Sequence, residues 1–518
     1  MSNTPQTAED LIRTETAQSA ENLERQYNTP AWAGPRPLVF PADIGAPAAL
    51  PDERWATVSL AGLRAGMDVG TITSLGLVRR YIERIRRLDA GRLNSVIELN
   101  PNAFTDAQAR DAEPARGPLH GIPILLKDNI GVAGPMRTTA GAWALRDAVC
   151  DRDSAVAARL RAAGAVLLGK ANLSEWANWT TDGMPNGFSS VGGQTHNPHG
   201  RFEVSGSSSG SAVAVAAGLC AAAIGSETWG SLVAPASANG VVTLKPSLGL
   251  VSRDRIIPIT EATDTAGPLA RSVADLAAVL DGIAGPDPAD PETEAARSLA
   301  GMRFSARLDP DGLRGKRVGI VRQTGDIDPD APAWRERLAA ALRAAGATVV
   351  ETTPQALDET RFRDDFMTVA YYDFKRGVNA YLAATGAPMT SLAEIVAFNA
   401  ADAANRAPWG QTLLAASEAH TVTPEAYAGA RARNRAAARA RIDELLHAAG
   451  CDLLAGTGSA SYIPFAMAGA PALTLPLGRR DTGEPMGATL IGRFLEDGEL
   501  VAAGYGLESA LGVNQPRG

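Results

Sequence analysis

The chain has 518 residues, enough for one large domain or about three of average size. Hydrophobic residues make up 45% of it and charged residues 20%, proportions typical of a soluble globular protein. Lysine and arginine total 49 against 57 for aspartate and glutamate, and this net charge of -8 argues against a nucleic-acid-binding protein, because such proteins carry a basic surface.

The cysteines and the hydropathy pattern narrow the class of protein further. Cys150, Cys220 and Cys451 are isolated, and an odd count without Cys-x-x-Cys spacing indicates free thiols and not a disulfide or zinc framework. The first residues lack the basic and apolar regions of a secretory signal, and no stretch reaches about 18 uninterrupted apolar residues. We therefore expect a cytoplasmic protein without membrane contact, metal or other cofactor.

The predicted elements begin after a proline-rich N-terminal segment, residues 1–56, which we expect to run over the surface. Apolar positions recur at helical spacing from Thr57 to Asp89 and predict an amphipathic helix. The run GIPILLKDNI, residues 121–130, predicts a buried strand that enters a loop. We assign residues 57–518 to one large domain, because no repeat and no long low-complexity linker divides them.

Helices and strands alternate along the rest of the chain. Residues 154–172 predict a helix followed by a strand, and residues 205–228 predict a Gly/Ser loop, an alanine-rich helix and a strand. The stretches KRVGIV and WRERLAAALRAAGATVVETT predict strand, helix and strand again. A long helix from Pro424 to Gly450 precedes the predicted strands CDLLAG and PALTLPLG. This alternation is typical of an α/β fold.

The Gly/Ser loop offers a first candidate nucleophile. Residues 206–210 read GSSSG and fit the G-x-S-x-G elbow of α/β-hydrolases, which would make Ser208 the nucleophile. That interpretation needs an acidic residue and then a histidine further along the chain. Only His420 and His447 follow, and neither has a convincing partner.

The sequence also offers a histidine pair as a candidate metal site and a lysine as a candidate base. His196 and His199 are three apart, but Pro198 breaks a helix between them and no further metal-ligand spacing follows, so a hydrogen-bonding pair is the simpler interpretation. Lys127 ends an apolar run, and a desolvated lysine has a lowered pKa and can accept a proton. The alternative is a strand-end lysine whose amine reaches water.

Together these stretches resemble the amidase signature family. GPLHGIPILLKDNI is similar to its lysine motif, SGSSSGSAVAVAAG to its Gly/Ser loop, and AIGSETWGSLVAPASANG to its nucleophile segment. GGQTHNP and DTAGPLARSVADLA also resemble family segments, in the same order along the chain. The resemblance is dense from Thr57 to Gly285 and thinner beyond. It implies an α/β fold with a large mixed β-sheet core covered by helices on both sides.

The resemblance also implies a Ser-cis-Ser-Lys triad. Ser231 would be the nucleophile, Ser207 the bridging serine and Lys127 the base, with a cis peptide bond between Gly206 and Ser207. The reaction would be hydrolysis of a linear amide through an acyl-enzyme, without a metal or other cofactor. The oxyanion hole would be formed by the backbone N–H groups of Thr228, Trp229, Gly230 and Ser231.

NLSEWAN, GLVSRDRIIPI and the E-T-x-G-S form of the nucleophile segment are most similar to the peptide amidase branch of the family. This likeness implies hydrolysis of C-terminal amides of peptides. The alternative within the same chemistry is an aryl-amide or carbamate hydrolase. A third hypothesis is the glutaminase subunit of a tRNA-dependent amidotransferase. The negative net charge and the sequence ETWGS argue against it. We expect a small-molecule or short-peptide amide substrate and a monomer or homodimer.

The chain departs from this branch at Trp229, where the branch has an aspartate and most of the family a glycine. Its side chain either shapes a substrate pocket for aromatic or apolar groups or packs away as core. The stretch LLAGTGSASYIPFAMAG is also shorter than in the branch, which would open the leaving-group side of the cleft. Ser208 either positions the triad or serves a turn. Asn172 and Trp176 are candidates to line the cleft, and for Trp176 a buried core position is the favoured alternative.

Overall fold

The computed structural model describes residues 21–41, 53–322, 328–353, 359–448 and 450–512. The strands are, in chain order, β1 Val96–Leu99, β2 Pro123–Lys127, β3 Val166–Ala171, β4 Phe188–Ser189, β5 Gly193–Gln194, β6 Ala222–Glu227, β7 Val242–Lys245, β8 Thr265–Ala270, β9 Arg317–Val321, β10 Thr348–Thr352, β11 Leu453–Thr457, β12 Ala472–Arg479 and β13 Pro485–Ile491.

The main helices are, in chain order, α1 Leu60–Asp68, α2 Ser74–Leu88, α3 Ala103–Ala112, α4 Ala155–Ala162, α5 Ser209–Ala216, α6 Val233–Asn239, α7 Val273–Ile283, α8 Ala331–Ala344, α9 Glu359–Thr385, α10 Leu392–Ala400, α11 Thr412–Ala419, α12 Pro424–Ala448 and α13 Asp497–Leu511. Shorter helical segments lie at Glu53–Thr57, Asp89–Leu93, Trp143–Leu145, Glu175–Asn178, Pro291–Leu299, Phe304–Arg307, Ala403–Arg406 and Phe465–Ala468.

The centre of the fold is an eleven-stranded sheet with the order β1-β3-β2-β6-β8-β7-β12-β13-β11-β9-β10, while β4 and β5 form a separate two-stranded sheet. Strand β2 pairs in parallel with β3 and β6, and β6 pairs antiparallel with β8. The sheet is therefore mixed, and the predicted α/β class with a large mixed sheet is confirmed.

Helices cover both faces of the central strands. Every residue of β2, β3, β6, β7 and β8 is buried, and successive side chains of a strand point to opposite faces. Both faces of the sheet are therefore covered over these strands. Helix α5 packs against β2 and β6, while α7 packs against β7 and β8 and α13 packs against β12.

The region from Thr57 to Asp89 forms two helices, so the prediction of one amphipathic helix is wrong there. Helix α1 ends at Asp68, and Gly70 has a φ of 71°, a left-handed conformation that a continuing helix does not contain. The Thr73 hydroxyl then accepts a hydrogen bond from the Gly76 N–H and caps the start of α2. The apolar spacing continues through both helices because each buries its apolar side chains in the core.

Residues 21–41 and 53–56 are the described parts of the proline-rich N-terminal segment, and residues 21–41 lie against the region around β4 and β5. The Arg36 N–H donates to the Val191 carbonyl at 2.8 Å, and Tyr27 stacks on His196 with ring centroids 5.0 Å apart. Residues 1–20 and 42–52 of the predicted segment lie outside the described residues. Among the described helices, none combines the length and apolar composition needed to cross a bilayer.

Candidate active site

Lys127 is the last residue of β2, which lies between β3 and β6 in the sheet, and its side chain is completely buried. Its Nζ donates a hydrogen bond to Ser207 Oγ at 2.7 Å and to the Ser226 carbonyl oxygen at 3.1 Å. The open alternative from the sequence, a strand-end lysine reaching water, is therefore not what the structure shows. A buried lysine held against a serine hydroxyl is arranged to exchange a proton with it.

Burial also changes the acidity of this lysine. Desolvation lowers the pKa of Lys127 from its ordinary value to about 7, and the nearby carboxylates of Asp264 and Glu227 oppose part of that change. At this pKa a substantial fraction of the lysine is neutral near pH 7. The side chain is thus suited to act as a base under neutral conditions.

The Gly/Ser loop before α5 brings the second serine to this lysine. The Gly206–Ser207 peptide bond is cis, and the Ser207 side chain is completely buried. The Ser207 carbonyl accepts a hydrogen bond from the Ser174 N–H at 3.1 Å. This hydrogen bond holds the backbone next to the hydroxyl that Lys127 contacts.

Ser231 lies in the turn that joins β6 to α6, next to a glycine with a positive φ. Gly230 has a φ of 84°, and a Cβ added there would meet Ser461 Oγ at 3.2 Å, so both conformation and space favour glycine. The Glu227 carboxylate accepts hydrogen bonds from the N–H groups of Leu232 at 2.7 Å and Val233 at 3.2 Å. This carboxylate holds the turn that presents Ser231.

The nucleophile turn is tied to the Gly/Ser loop through the backbone. The Ser208 N–H donates to the Ser231 carbonyl at 3.2 Å. Within the described residues, no hydrogen bond joins the hydroxyls of Ser207 and Ser231. Catalytic hydrogen bonds often tighten only when substrate binds, so this geometry is compatible with a proton relay between the two serines.

The side chain of Ser208 links the Gly/Ser loop to the end of β6. Its Oγ donates to the Ser226 carbonyl at 3.0 Å and accepts from the Ser226 N–H at 3.3 Å. The side chain is completely buried, so it does not face a substrate. The structure places Ser208 as a support for the end of β6, where Lys127 also binds.

Trp229 does not pack as core. Its side chain is 38% exposed, beside the nucleophile turn. The indole N–H donates to the Ser461 carbonyl at 3.3 Å, and the ring meets Phe366 edge to face with centroids 5.2 Å apart. Trp229 therefore connects the nucleophile turn with the loop around Ser461 and with α9.

Asn172 and Trp176 were predicted to line the cleft, and the structure places both in the interior. Asn172 is completely buried and donates to the carbonyls of Asn94 at 3.1 Å and Gly193 at 3.0 Å. Trp176 is 1% exposed and packs edge to face on Phe374 at 5.9 Å. Both side chains hold neighbouring segments together, so the candidate role of Asn172 in lining the cleft is corrected, and Trp176 occupies the core position that was its favoured alternative.

A cleft of about 530 Å³ opens beside the end of β6, and it reaches the nucleophile turn at Thr228 but is not lined by Ser231 or Trp229. Ser226, Glu227 and Thr228 line one side of it, and Asp264 lines it beside Thr228. Residues 253–259 form a second side. The wall that α9 supplies consists of Gly377, Ala380, Tyr381 and Ala384.

The structure adds two buried lysines that the sequence reasoning missed. Lys170 in β3 forms an ion pair with Asp128 at 3.3 Å and donates to the Ile130 carbonyl at 2.7 Å. Lys245 ends β7, faces Glu227, and burial lowers its pKa to about 8. Both follow short apolar runs, VLLGK and VVTLK, and this is the same signal that singled out Lys127.

One family model and several known proteins are similar to this chain over most of its length. A family model described as Amidase matches residues 76–460. The X-ray structure of native peptide amidase from Stenotrophomonas maltophilia is 44% identical, covering 90% of this chain and 99% of that chain, with a TM-score of 0.84. An amidase family protein from Bacillus anthracis is 33% identical over 100% of this chain and 99% of its own, also with a TM-score of 0.84. One component of the glutamyl-tRNA(Gln) amidotransferase of Synechococcus sp. strain CC9605 is 34% identical over 499 residues, 89% of this chain and 98% of that component.

Proposed function

Because the chain belongs to the amidase signature family and is a hydrolase of amide carbon–nitrogen bonds, we propose that it hydrolyses C-terminal amides of peptides through Ser231, Ser207 and Lys127. The observation that carries the proposal is the buried hydrogen bond from Lys127 Nζ to Ser207 Oγ at 2.7 Å. It gives the serines a base although no histidine lies beside them. The likeness to a peptide amidase supports the substrate class.

The first half of the reaction forms an acyl-enzyme. Neutral Lys127 accepts the proton of Ser207 while Ser207 accepts the proton of Ser231, and Ser231 Oγ attacks the amide carbonyl carbon. The negative charge that develops on the carbonyl oxygen is stabilised by the backbone N–H groups of residues 228–231. The C–N bond then breaks, and the proton returns through Ser207 to the leaving nitrogen, which departs as ammonia.

The second half restores the enzyme. Water gives a proton to the same serine and lysine relay and attacks the ester carbonyl of Ser231. The ester bond breaks, Ser231 regains its proton, and the product leaves as a free carboxylic acid. Each cycle therefore consumes one amide and one water and gives one acid and one ammonia.

Mass spectrometry on one competition mixture tests the proposal. The mixture contains a C-terminally amidated peptide, the same peptide as free acid, an anilide, an aryl carbamate and glutamine. We expect the peptide amide to become its acid, with no internal cleavage and no turnover by a Ser231→Ala variant. An intact peptide amide after prolonged incubation with purified enzyme would contradict the substrate class.

A second candidate function is the hydrolysis of aryl amides or carbamates, and Trp229 favours it. The partly exposed indole beside the nucleophile turn offers an aromatic surface to a substrate ring. Consumption of the anilide or the carbamate with the peptide amide left intact would select this function. Release of ammonia from glutamine alone would point instead to the amidotransferase-like activity.

A further inference from the structure

Asp264 connects the predicted oxyanion segment to the loop that precedes β8. Its Oδ1 accepts a hydrogen bond from Thr228 Oγ1 at 2.6 Å. Its Oδ2 accepts hydrogen bonds from the N–H groups of Ile259 at 2.7 Å and Thr260 at 3.0 Å. One carboxylate thus holds a side chain of the oxyanion segment and the backbone of a cleft-lining loop at the same time.

The sheet places this carboxylate near the lysine base. Strands β6 and β8 pair antiparallel with Glu227 opposite Thr265, so Asp264 lies beside Thr228, just beyond the end of the pairing. Lys127 Nζ binds the carbonyl of Ser226, the residue before Glu227. Asp264 and Lys127 therefore approach the same end of β6 from its two neighbouring strands.

Charged side chains from the neighbouring strands and loops surround Lys127. Glu227 faces it from β6 and Asp264 faces it from the segment before β8. Lys245 faces Glu227 from β7, and Arg253 faces Asp264 from the loop after β7. Both carboxylates line the cleft, and Asp264 is the one that accepts a hydrogen bond from Thr228 Oγ1.

We propose that Asp264 is a positioning residue of the amidase: it fixes Thr228 in the oxyanion segment, and its negative charge governs the pH range in which Lys127 acts as a base. The proposal rests on the proposed function, in which Lys127 is that base and residues 228–231 supply the oxyanion hole. It assigns Asp264 no contact with the reacting atoms.

The electrostatic part has a definite sign. A negative charge near a lysine favours its protonated form and opposes the effect of burial. Replacing Asp264 by asparagine removes the charge while keeping the size of the side chain. Lys127 should then become neutral at a lower pH, and the acidic limb of the pH–rate profile should move in the same direction.

A direct titration of Lys127 tests this part without relying on activity. The chain has only five lysines to resolve by NMR after lysine labelling with ¹³C at Cε, namely Lys127, Lys170, Lys245, Lys316 and Lys375. The Lys127 signal is assigned by its loss in Lys127→Met. We expect its titration midpoint near 7 in the natural protein and about one pH unit lower in Asp264→Asn.

Asp373→Asn is the matched control for a loosened loop. Asp373, from α9, accepts hydrogen bonds from Thr260 Oγ1 at 2.7 Å and the Glu261 N–H at 3.1 Å, so it holds the same loop from the side away from Thr228. We expect Asp373→Asn to leave the Lys127 midpoint unchanged. An equal shift in both variants would overturn the electrostatic role, since the loop alone would then explain it.

Thr228→Val tests the positioning part, because it removes the hydrogen bond to Asp264 and keeps the carboxyl group. We expect its kcat to fall about tenfold or more, as for the loss of a hydrogen bond that fixes a catalytic group, with a smaller shift of the Lys127 midpoint than in Asp264→Asn. A natural kcat in Thr228→Val would overturn this part. Circular dichroism and thermal melting confirm that each variant is folded.

The remaining outcomes separate this inference from the proposed function. If Asp264→Asn does not fold, Asp264→Ser removes the charge and leaves room for water at the two backbone donors. An unchanged Lys127 midpoint in a folded charge-free variant would overturn the electrostatic role even if the natural protein hydrolyses amides. If the natural protein hydrolyses no amide, the proposed function fails, while the titration still decides whether Asp264 controls Lys127.

Discussion

Lys127 Nζ lies 2.7 Å from Ser207 Oγ, and neither side chain has any exposed surface. The lysine is brought there by the buried strand β2, and the serine by the loop before α5. A buried polar group that lacks a hydrogen-bond partner destabilises the folded protein, so each of these two side chains holds the other in its position.

The pH dependence of catalysis should follow the protonation of Lys127. Because burial lowers its pKa to about 7, the lysine is protonated below that pH and cannot accept a proton. We expect kcat/KM to fall by about tenfold per pH unit below 7 and to level off above it. The check is a kcat/KM profile, with Lys375→Met as control because Lys375 lies outside the site and donates to the Glu418 carbonyl. A flat profile from pH 5 to 9, with chemistry shown to be rate-limiting, would contradict the role of Lys127.

Each member of the proposed triad should be required for turnover. We expect Ser231→Ala, Ser207→Ala and Lys127→Ala each to lower kcat by about 10³-fold or more, since groups that act as one unit fail together. Ser211→Ala is the matched control, because Ser211 is a buried serine in the same stretch whose Oγ donates to the Ile224 carbonyl at 3.1 Å. Steady-state rates of the purified variants decide the matter. A rate within tenfold of natural in any triad variant would remove that residue from the mechanism.

The side chain of Trp229 should set substrate preference. We expect Trp229→Asp to raise the ratio of peptide-amide to anilide turnover, because it removes the aromatic surface beside the nucleophile turn. Trp229→Phe keeps an aromatic ring next to Phe366 and loses only the hydrogen bond to the Ser461 carbonyl, so its ranking should stay close to natural. The measurement is the ratio of kcat/KM for the two substrates. An identical ranking in all three proteins would mean that the ring does not contact the substrate.

The buried ion pair of Lys170 and Asp128 should matter for stability far more than an exposed one of equal length. Removing one partner of a buried pair leaves an uncompensated charge, so we expect Lys170→Met to lower the free energy of unfolding by about 3–5 kcal/mol. Lys316 and Glu499 are also 3.3 Å apart, but both are partly exposed, and Lys316→Met should cost less than about 1 kcal/mol. Urea unfolding of both variants gives the comparison. Equal losses would show that burial does not decide the difference.

The strands that carry the site could be predicted from the sequence, and so could its lysine. The run that contains Lys127 is apolar and bounded by glycine and proline, which predicts a buried strand, and the strand is observed at Pro123–Lys127. The roles of Ser207 and Ser231 came from the resemblance to a family, since hydroxyl residues are too common for spacing alone to single them out. The structure adds the position of Ser207 beside the lysine.

The directions of Asn172 and Trp176 could not be predicted from local pattern. Trp176, Ala177 and Asn178 all have positive φ values, so the backbone turns in a way that no periodicity describes. Residue type indicated polar and aromatic groups near the site, whereas the turn sends the Trp176 ring towards Phe374. Only the three-dimensional path of the chain decides which of these side chains meets the cleft.

The position of Asp264 depends on strand pairing, which the sequence does not display. Thirty-six residues separate it from Thr228, and the antiparallel register of β6 and β8 brings the two together. Short-range patterns describe strands one at a time and do not give the order of strands in a sheet. For the same reason, the partnership of Glu227 with Lys245 from β7 was not foreseen.

Because Lys127 has no exposed surface, the base of this site is sealed from the medium. In the proposed mechanism, a proton that leaves Ser231 passes through the buried side chains of Ser207 and Lys127 before it reaches the leaving nitrogen. A buffer molecule therefore cannot take the place of the lysine beside Ser207, whereas the pH of the solution still sets the fraction of Lys127 that is neutral.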